Sequence, residues 1–375
     1  MIRVKHETVD SRRHLALFVP SLRGGGAQRV MLALARGFAE QGHTTDLLLA
    51  RAEGPFLAEL PRSVYLVDLD AQRVLCALPR LVTYLRRERP EVMVSALEHA
   101  NVVALWAKRL ARVPTRVIVT QHNALSVSAG RWADRRGHLL PSLVKRFYHW
   151  ADAIVAVSNG VADDLAQLMH VPRGRIRVIY NPVVTPDLRE KAQAPLEHPW
   201  FGPGAPPVLL GVGRLSPQKD FSTLIQAFAQ VRKERRARLL ILGEGPERLR
   251  LEAMVTRLGL EQDVGLPGFV ENPYPYMART ALFVLSSRWE GLGIVLVEAL
   301  YCGALLVATD CPHGPREILE HGRYGRLVPV GDIGALAQAI DFALSGEAQP
   351  PPSESWCRFE RETVVRQYLS ILFPS

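Results

Sequence analysis

The sequence predicts an α/β chain built from two doubly wound parallel sheets. Three observations carry that expectation. Short apolar runs rich in Val, Ile and Leu alternate with stretches of helical periodicity. Those runs are apolar throughout rather than alternating, which suits parallel strands covered on both faces. A proline-dense segment, 182–207, then divides the series into two halves of similar size.

In chain order, the first half offers strands at His14–Pro20, Thr45–Ala50, Val64–Asp68, Val92–Ala96, Arg116–Thr120, Ala153–Ser158 and Arg177–Tyr180. The second offers Val208–Val212, Leu239–Leu242, Leu282–Ser286, Leu305–Thr309 and Arg326–Val330. Gln28–Gln41 and Phe221–Arg236 carry apolar residues at helical spacing. After the prolines of Gln349–Pro352, a last helix is expected at Glu354–Leu372. The expected domains are 1–185, a linker at 186–206, and 207–375. A length of 375 residues is comfortable for two such cores.

Composition narrows the classes. Hydrophobic residues make up 48% of the chain, enough for sizeable cores. The four cysteines form no CxxC pair and no metal-ligand spacing, so a reduced cytosolic setting is expected. The opening residues are charged throughout and show no secretory leader. The best apolar candidate for a membrane span, Gly291–Thr309, is interrupted by Glu298. The net charge of +9 is uneven: residues 1–200 hold 28 Lys/Arg against 18 Asp/Glu, and the remainder is close to balance. A one-sided basic half suggests an anionic partner such as a membrane surface or nucleic acid, with a solvated arginine-rich surface as the alternative. No helix-turn-helix, zinc or RNP pattern is present, so nucleic acid is set aside.

Several glycine turns fall at strand ends. Gly24-Gly25-Gly26 lies between a strand and a helix, where backbone amides and a helix N-terminus can meet an anion. A tight turn alone would also use those glycines. Gly213-Arg214 ends a strand, and Lys219 follows. Two cations past the carboxyl end of a parallel strand suit a diphosphate; a solvated loop is the alternative. Gly243-Glu244-Gly245 closes the next strand. The most specific stretch runs from Ser286 through Glu290, Gly291, Gly293 and Ile294 to Glu298. Amides at the helix start can face an anion there, and Glu298 interrupts an apolar helix. A buried Glu298 needs a polar partner, either a ribose diol or a neighbouring loop.

On these residues the chain resembles the family-4 retaining glycosyltransferases of GT-B architecture, in which two Rossmann-like domains face a cleft. Glu290 and Glu298 match that family's Glu-x7-Glu motif. Ala299–Gly303, Val307–Pro312 and Gly314–Ile318 continue the match. So do Ile179–Val183, Gly213–Leu215 with Gln218–Asp220, and Gly24–Val30. The resemblance implies that the final helix crosses back to the first domain. It implies a nucleotide-diphosphate sugar as donor, UDP- or GDP-linked, and no cofactor or metal. Arg214 and Lys219 would hold the diphosphate, Glu298 the ribose and Glu290 the sugar. Gly25 and Gly26 would lie near the diphosphate, and Val270 would meet the base through its backbone. Glu244, Gly213, Gly291, Gly293 and Ile294 complete the implied donor site. His122, in Thr120-Gln121-His122-Asn123, resembles the family's active-site histidine; a loop histidine satisfied by backbone is its alternative.

The implied reaction is sugar transfer with retention, onto a glycan or lipid-linked acceptor in polysaccharide, O-antigen or lipopolysaccharide assembly. A soluble small acceptor, as in sucrose- or trehalose-type synthases, and a silent nucleotide-sugar binder are the alternatives. Asp68-Leu69-Asp70 spells a DxD but ends an early strand, so it reads as turn chemistry. Arg131, Arg135, Arg136, Lys145 and Arg146 surround Trp132, Leu139, Leu140, Leu143, Phe147 and Trp150. Such a stretch suits an anionic leaflet, giving a cytoplasmic protein peripheral on the inner face of the cytoplasmic membrane. An ordinary helix with its apolar face in the core has the same pattern.

Overall fold

The computed structural model describes residues 12–23, 25–126 and 135–373. Among them the strands form two sheets, both parallel throughout. The first contains β1 (His14–Val19), β2 (Thr44–Leu49), β3 (Val64–Asp68), β4 (Val92–Ala96), β5 (Arg116–Gln121), β6 (Ala153–Ala156) and β7 (Ile176–Val178). Its order is β3-β2-β1-β4-β5-β6-β7. The second contains β8 (Val208–Val212), β9 (Arg238–Leu242), β10 (Val264–Gly268), β11 (Leu282–Leu285), β12 (Leu306–Thr309) and β13 (Arg326–Val328). Its order is β10-β9-β8-β11-β12-β13. Each order reverses beside its first strand, at β1/β4 and at β8/β11. Doubly wound sheets bind ligands at such switch points, outside the carboxyl ends of the strands.

Burial follows the composition of the runs. Leu15 to Val19 in β1 and Leu47 to Leu49 in β2 are fully buried, as expected when helices cover both faces. β10 is absent from the sequence-predicted series. Its residues, VGLPG, lack a continuous apolar run, and its pairing with β9 shifts register between Gly265 and Gly268. It occupies a sheet edge, where Pro267 costs no interior ladder bond.

The proline-dense segment is ordered against the second domain. It holds the short helix Leu188–Gln193, and Asn272 Nδ2 donates to Lys191 O at 3.0 Å. The imidazole of His198 stands edge-on to Trp200, Phe201 and Tyr276.

The expected last helix is corrected. Ser353–Phe359 is a 3-10 segment, Glu360 is extended, and the α-helix runs only Arg361–Leu372. The break has a cause: the chain crosses between domains here. Val183 N and Val184 N both donate to Phe359 O at 3.0 Å, and Arg361 N donates to Val184 O at 2.9 Å. The helix then docks on Gly26–Glu40 of the first domain. Phe38 and Tyr368 meet edge to face, and Arg361 pairs with Glu40.

Candidate active site in the interdomain cleft

The loops after β1 and β5 face those after β8 and β11 across the cleft. Gly25 caps the helix Gly26–Glu40, and the backbone of Gly26 lies against the Ile294 side chain. Ile294 opens the helix Ile294–Tyr301, whose cap Gly293 has φ 95°, a conformation that favours glycine. The starts of two helices from different domains thus abut. Gly291 lies against the His122 carbonyl so closely that a Cβ would collide with it. Ser158 Oγ donates to Gly291 O at 2.7 Å, again from the first domain.

Glu317 fastens the same side of the cleft. Its carboxylate accepts from Asn159 N (2.9 Å), Asn159 Nδ2 (3.0 Å), Gly160 N (3.1 Å) and Tyr180 Oη (3.2 Å). The carboxylate therefore satisfies free amides, and complements the dipole, at the start of the helix Asn159–Met169.

The switch point of the second sheet carries the charge. Lys219, after β8, places Nζ 2.6 Å from Glu290 Oε1, after β11. Ser287 Oγ donates to the same oxygen at 2.6 Å. The Lys219 stem lies against Gly213. Eight residues on from Glu290, Glu298 is 3% exposed and its Oε1 accepts from Tyr274 Oη at 2.9 Å. Arg29 reaches it from the first domain at 3.4 Å. Burial pushes the Glu298 carboxyl above its ordinary range, while Arg29 and the tyrosine hydroxyl oppose the rise.

Not every expected site residue converges. Arg214 is exposed and makes no ion pair among the described residues. Glu244 is held by Arg248 through two contacts, at 2.6 and 2.8 Å. Val270 is half-buried on the loop after β10. Gly24 lies outside the described residues. Tyr274 and Ser287 were not singled out by the sequence, although Ser287 stands inside the quoted segment. Beside Arg29 and Glu298 the cleft opens into a cavity of about 350 Å³, lined also by Arg36, Asp187, Asn272 and Tyr274.

Comparison with known proteins decides what this arrangement belongs to. Residues 24–186 match Glycosyltransferase Family 4, and residues 198–357 match Glycosyl transferases group 1. A lipopolysaccharide core biosynthesis glycosyltransferase of Rhizobium meliloti, LpsD, is 32% identical over 361 residues, covering 92% of this chain and 94% of that protein. The chain belongs to the family-4 glycosyltransferases of GT-B fold.

Two further likenesses place this glycosyltransferase. A Campylobacter jejuni enzyme is 32% identical over 256 residues, covering 67% of this chain and 66% of that protein. It is an N-acetylgalactosaminyltransferase named for a diphospho-undecaprenol substrate. Anabaena HepE, solved with UDP and glucose, shares the fold with a TM-score of 0.78 at 24% identity, covering 96% of this chain and 99% of that one.

The basic stretch of the transferase is corrected in part. Phe147 stands edge-on to Trp106 and Trp150, and Leu143, Phe147 and Trp150 pack on the core. Those aromatic residues are not free to enter a leaflet. Leu139 is 61% exposed, and Lys145 and Arg146 are exposed on the same helix. Arg131 and Trp132 lie outside the described residues, as do the side chains of Arg135 and Arg136 and the charged opening, residues 1–11. No helix among the described residues is long and apolar enough to cross a membrane.

Proposed function

We propose that this glycosyltransferase moves a hexosyl or N-acetylhexosaminyl group from a UDP- or GDP-linked sugar to a hydroxyl of a lipid-linked or polysaccharide glycan, with retention. The carrying observation is the Lys219–Glu290 ion pair at the β8/β11 switch point, eight residues before the buried Glu298. In this reading Glu298 binds the ribose diol. Lys219 and Arg214 stabilise charge as it develops on the departing diphosphate, and that diphosphate helps take the acceptor proton. Glu290 and His122 contact the sugar, Gly25 and Gly26 lie near the diphosphate, Val270 meets the base through its backbone, and Glu244 belongs to the donor site. Glu290 and Glu298 are not a hydrolase pair, because such a pair flanks one bond. The relatives named for lipopolysaccharide core synthesis and for a diphospho-undecaprenol substrate support a glycolipid acceptor.

The reaction in this reading needs no divalent metal. Asp68 Oδ1 already accepts from Ala52 N and Asp70 N, and Asp70 pairs with Arg80, so the DxD is engaged in its turn. The protein docks at an anionic leaflet through Leu139, Lys145 and Arg146, which share one helix of the basic domain.

A thermal-shift panel of UDP-, GDP- and dTDP-sugars tests the donor, and stabilisation by none would overturn it. Product followed by NMR should keep the anomeric configuration, inversion being the contrary result. Excess chelator should leave the rate unchanged. Co-sedimentation with anionic vesicles should weaken as salt rises, and no binding at low salt would end the membrane proposal.

A further inference from the structure

We infer that Thr120 is a positioning residue that fixes the tautomer of His122, with the ring proton on Nε2 and Nδ1 left as an acceptor. The inference starts from one hydroxyl with two neighbours. Thr120 Oγ1 lies 2.9 Å from Ser95 O and 3.0 Å from His122 Nε2. A hydroxyl has one proton to give, whereas a carbonyl oxygen can only accept. If the proton goes to Ser95, the imidazole must donate to Thr120 and two hydrogen bonds form. If it goes to the imidazole, the Ser95 contact carries no proton and one bond is lost. Ser95 and Thr120 are fully buried and His122 is 8% exposed, so no solvent makes up the difference. The chain His122 Nε2–H to Thr120 Oγ1–H to Ser95 O also runs in one direction, so its bonds reinforce each other.

The surroundings prevent an easy rearrangement. Asn101 Nδ2 donates to Thr120 O at 2.9 Å and to Tyr148 Oη at 2.8 Å. Gln121 Nε2 donates to Glu98 Oε1 at 2.7 Å and to Asn123 O at 2.6 Å. The end of β5 is thereby held on both sides, with the His122 carbonyl seated on Gly291. Burial also pushes the His122 ring down to about 4, which keeps it neutral in ordinary buffers.

A neutral ring whose second nitrogen, Nδ1, only accepts selects a partner that donates. Resting on the reading that His122 faces the donor sugar, the structure assigns to the site a sugar with a hydroxyl at this point. A uronate would bring a carboxylate against the Nδ1 lone pair and is disfavoured.

The test uses the full-length protein labelled with ¹⁵N-histidine, and His122→Asn identifies the signal among the 11 histidines. Two-bond ¹H–¹⁵N spectra should show a protonated Nε2 and a bare Nδ1 from pH 5.5 to 8. Thr120→Val should mix the tautomers and lower kcat about tenfold with donor KM within twofold, and Thr120→Ser should restore both. A wild-type spectrum with the proton on Nδ1 overturns the inference even if the valine variant does not fold. So does a valine variant with unchanged spectrum and kcat. The expected tautomer together with preferred use of a uronate donor would instead sink the reading of His122 as a sugar contact.

Discussion

The second domain meets the cleft with buried charge, whereas the first meets it with the half-exposed Arg29 and, around His122, with a network mostly of neutral groups. Lys219, Glu290 and Glu298 are each mostly buried, and each is paired. The network behind His122 uses hydroxyls, amides and carbonyls, with Glu98 as its carboxylate. Buried charge is expensive unless compensated, and here each buried charge has an opposite partner. Neutral networks specify position without attracting ions. In the proposed reaction the difference separates a wall that stabilises charge from one that sets geometry.

Lys219→Ala is the strongest way to break this comparison. It should lower kcat/KM by about 10²–10³, the scale of one preorganised electrostatic group, with the circular dichroism spectrum unchanged. An effect no larger than that of His122→Ala would erase the distinction.

Next in size is the acid response of the neutral wall. The folded His122 ring titrates at about 4, against 6.5 in the unfolded chain. The unfolded state therefore takes the proton first as pH falls. The contribution of the neutral ring is complete above 6.5 and is lost down to 4, amounting to about 3 kcal/mol. Urea midpoints measured across that window should fall more steeply for the wild type than for His122→Phe.

Glu298→Gln sharpens the charged side. Loss of a charged acceptor for the ribose should raise donor KM about tenfold or more and leave kcat nearly unchanged. It should also abolish any preference for a nucleotide over its 2′-deoxy form; retained preference would move the ribose elsewhere.

The smallest expected change belongs to the seam between the walls. Glu317→Ala removes the acceptor for three donors at a helix start and for Tyr180 Oη. It should cost about 1–2 kcal/mol by chemical denaturation. Scattering should show a wider average cleft, and an unchanged radius would mean that other contacts close it.

The fold was largely legible because parallel strands advertise themselves as apolar runs. Where it was not, the cause is specific. VGLPG at β10 survives as an edge strand that its neighbour supplies with pairing, which no local signal reveals. The final helix breaks at Glu360 because extended backbone there pairs with Val184, a contact 176 positions away. The site's residue types were legible as turns at strand ends. Its pairings were not: Lys219 and Glu290 are 71 residues apart, and Arg29 and Glu298 are 269 apart. The aromatic residues near Phe147 show the reverse failure. Their pattern fits a leaflet and a core equally, and neighbouring Trp106 settles most of them for the core.

The paired crossing at Val184 and Glu360 bears on how the cleft can open. A single connecting strand would act as a tether and allow the domains to swing, slide and twist. Two segments held side by side through one β-bridge act more like the leaf of a door. Bending across the pair is easy, while twisting would shear the bonds to Phe359 O and Val184 O. Were the cleft to open, bending about this pair is the motion that would keep those bonds, and closing along it would return Gly291 to the His122 carbonyl.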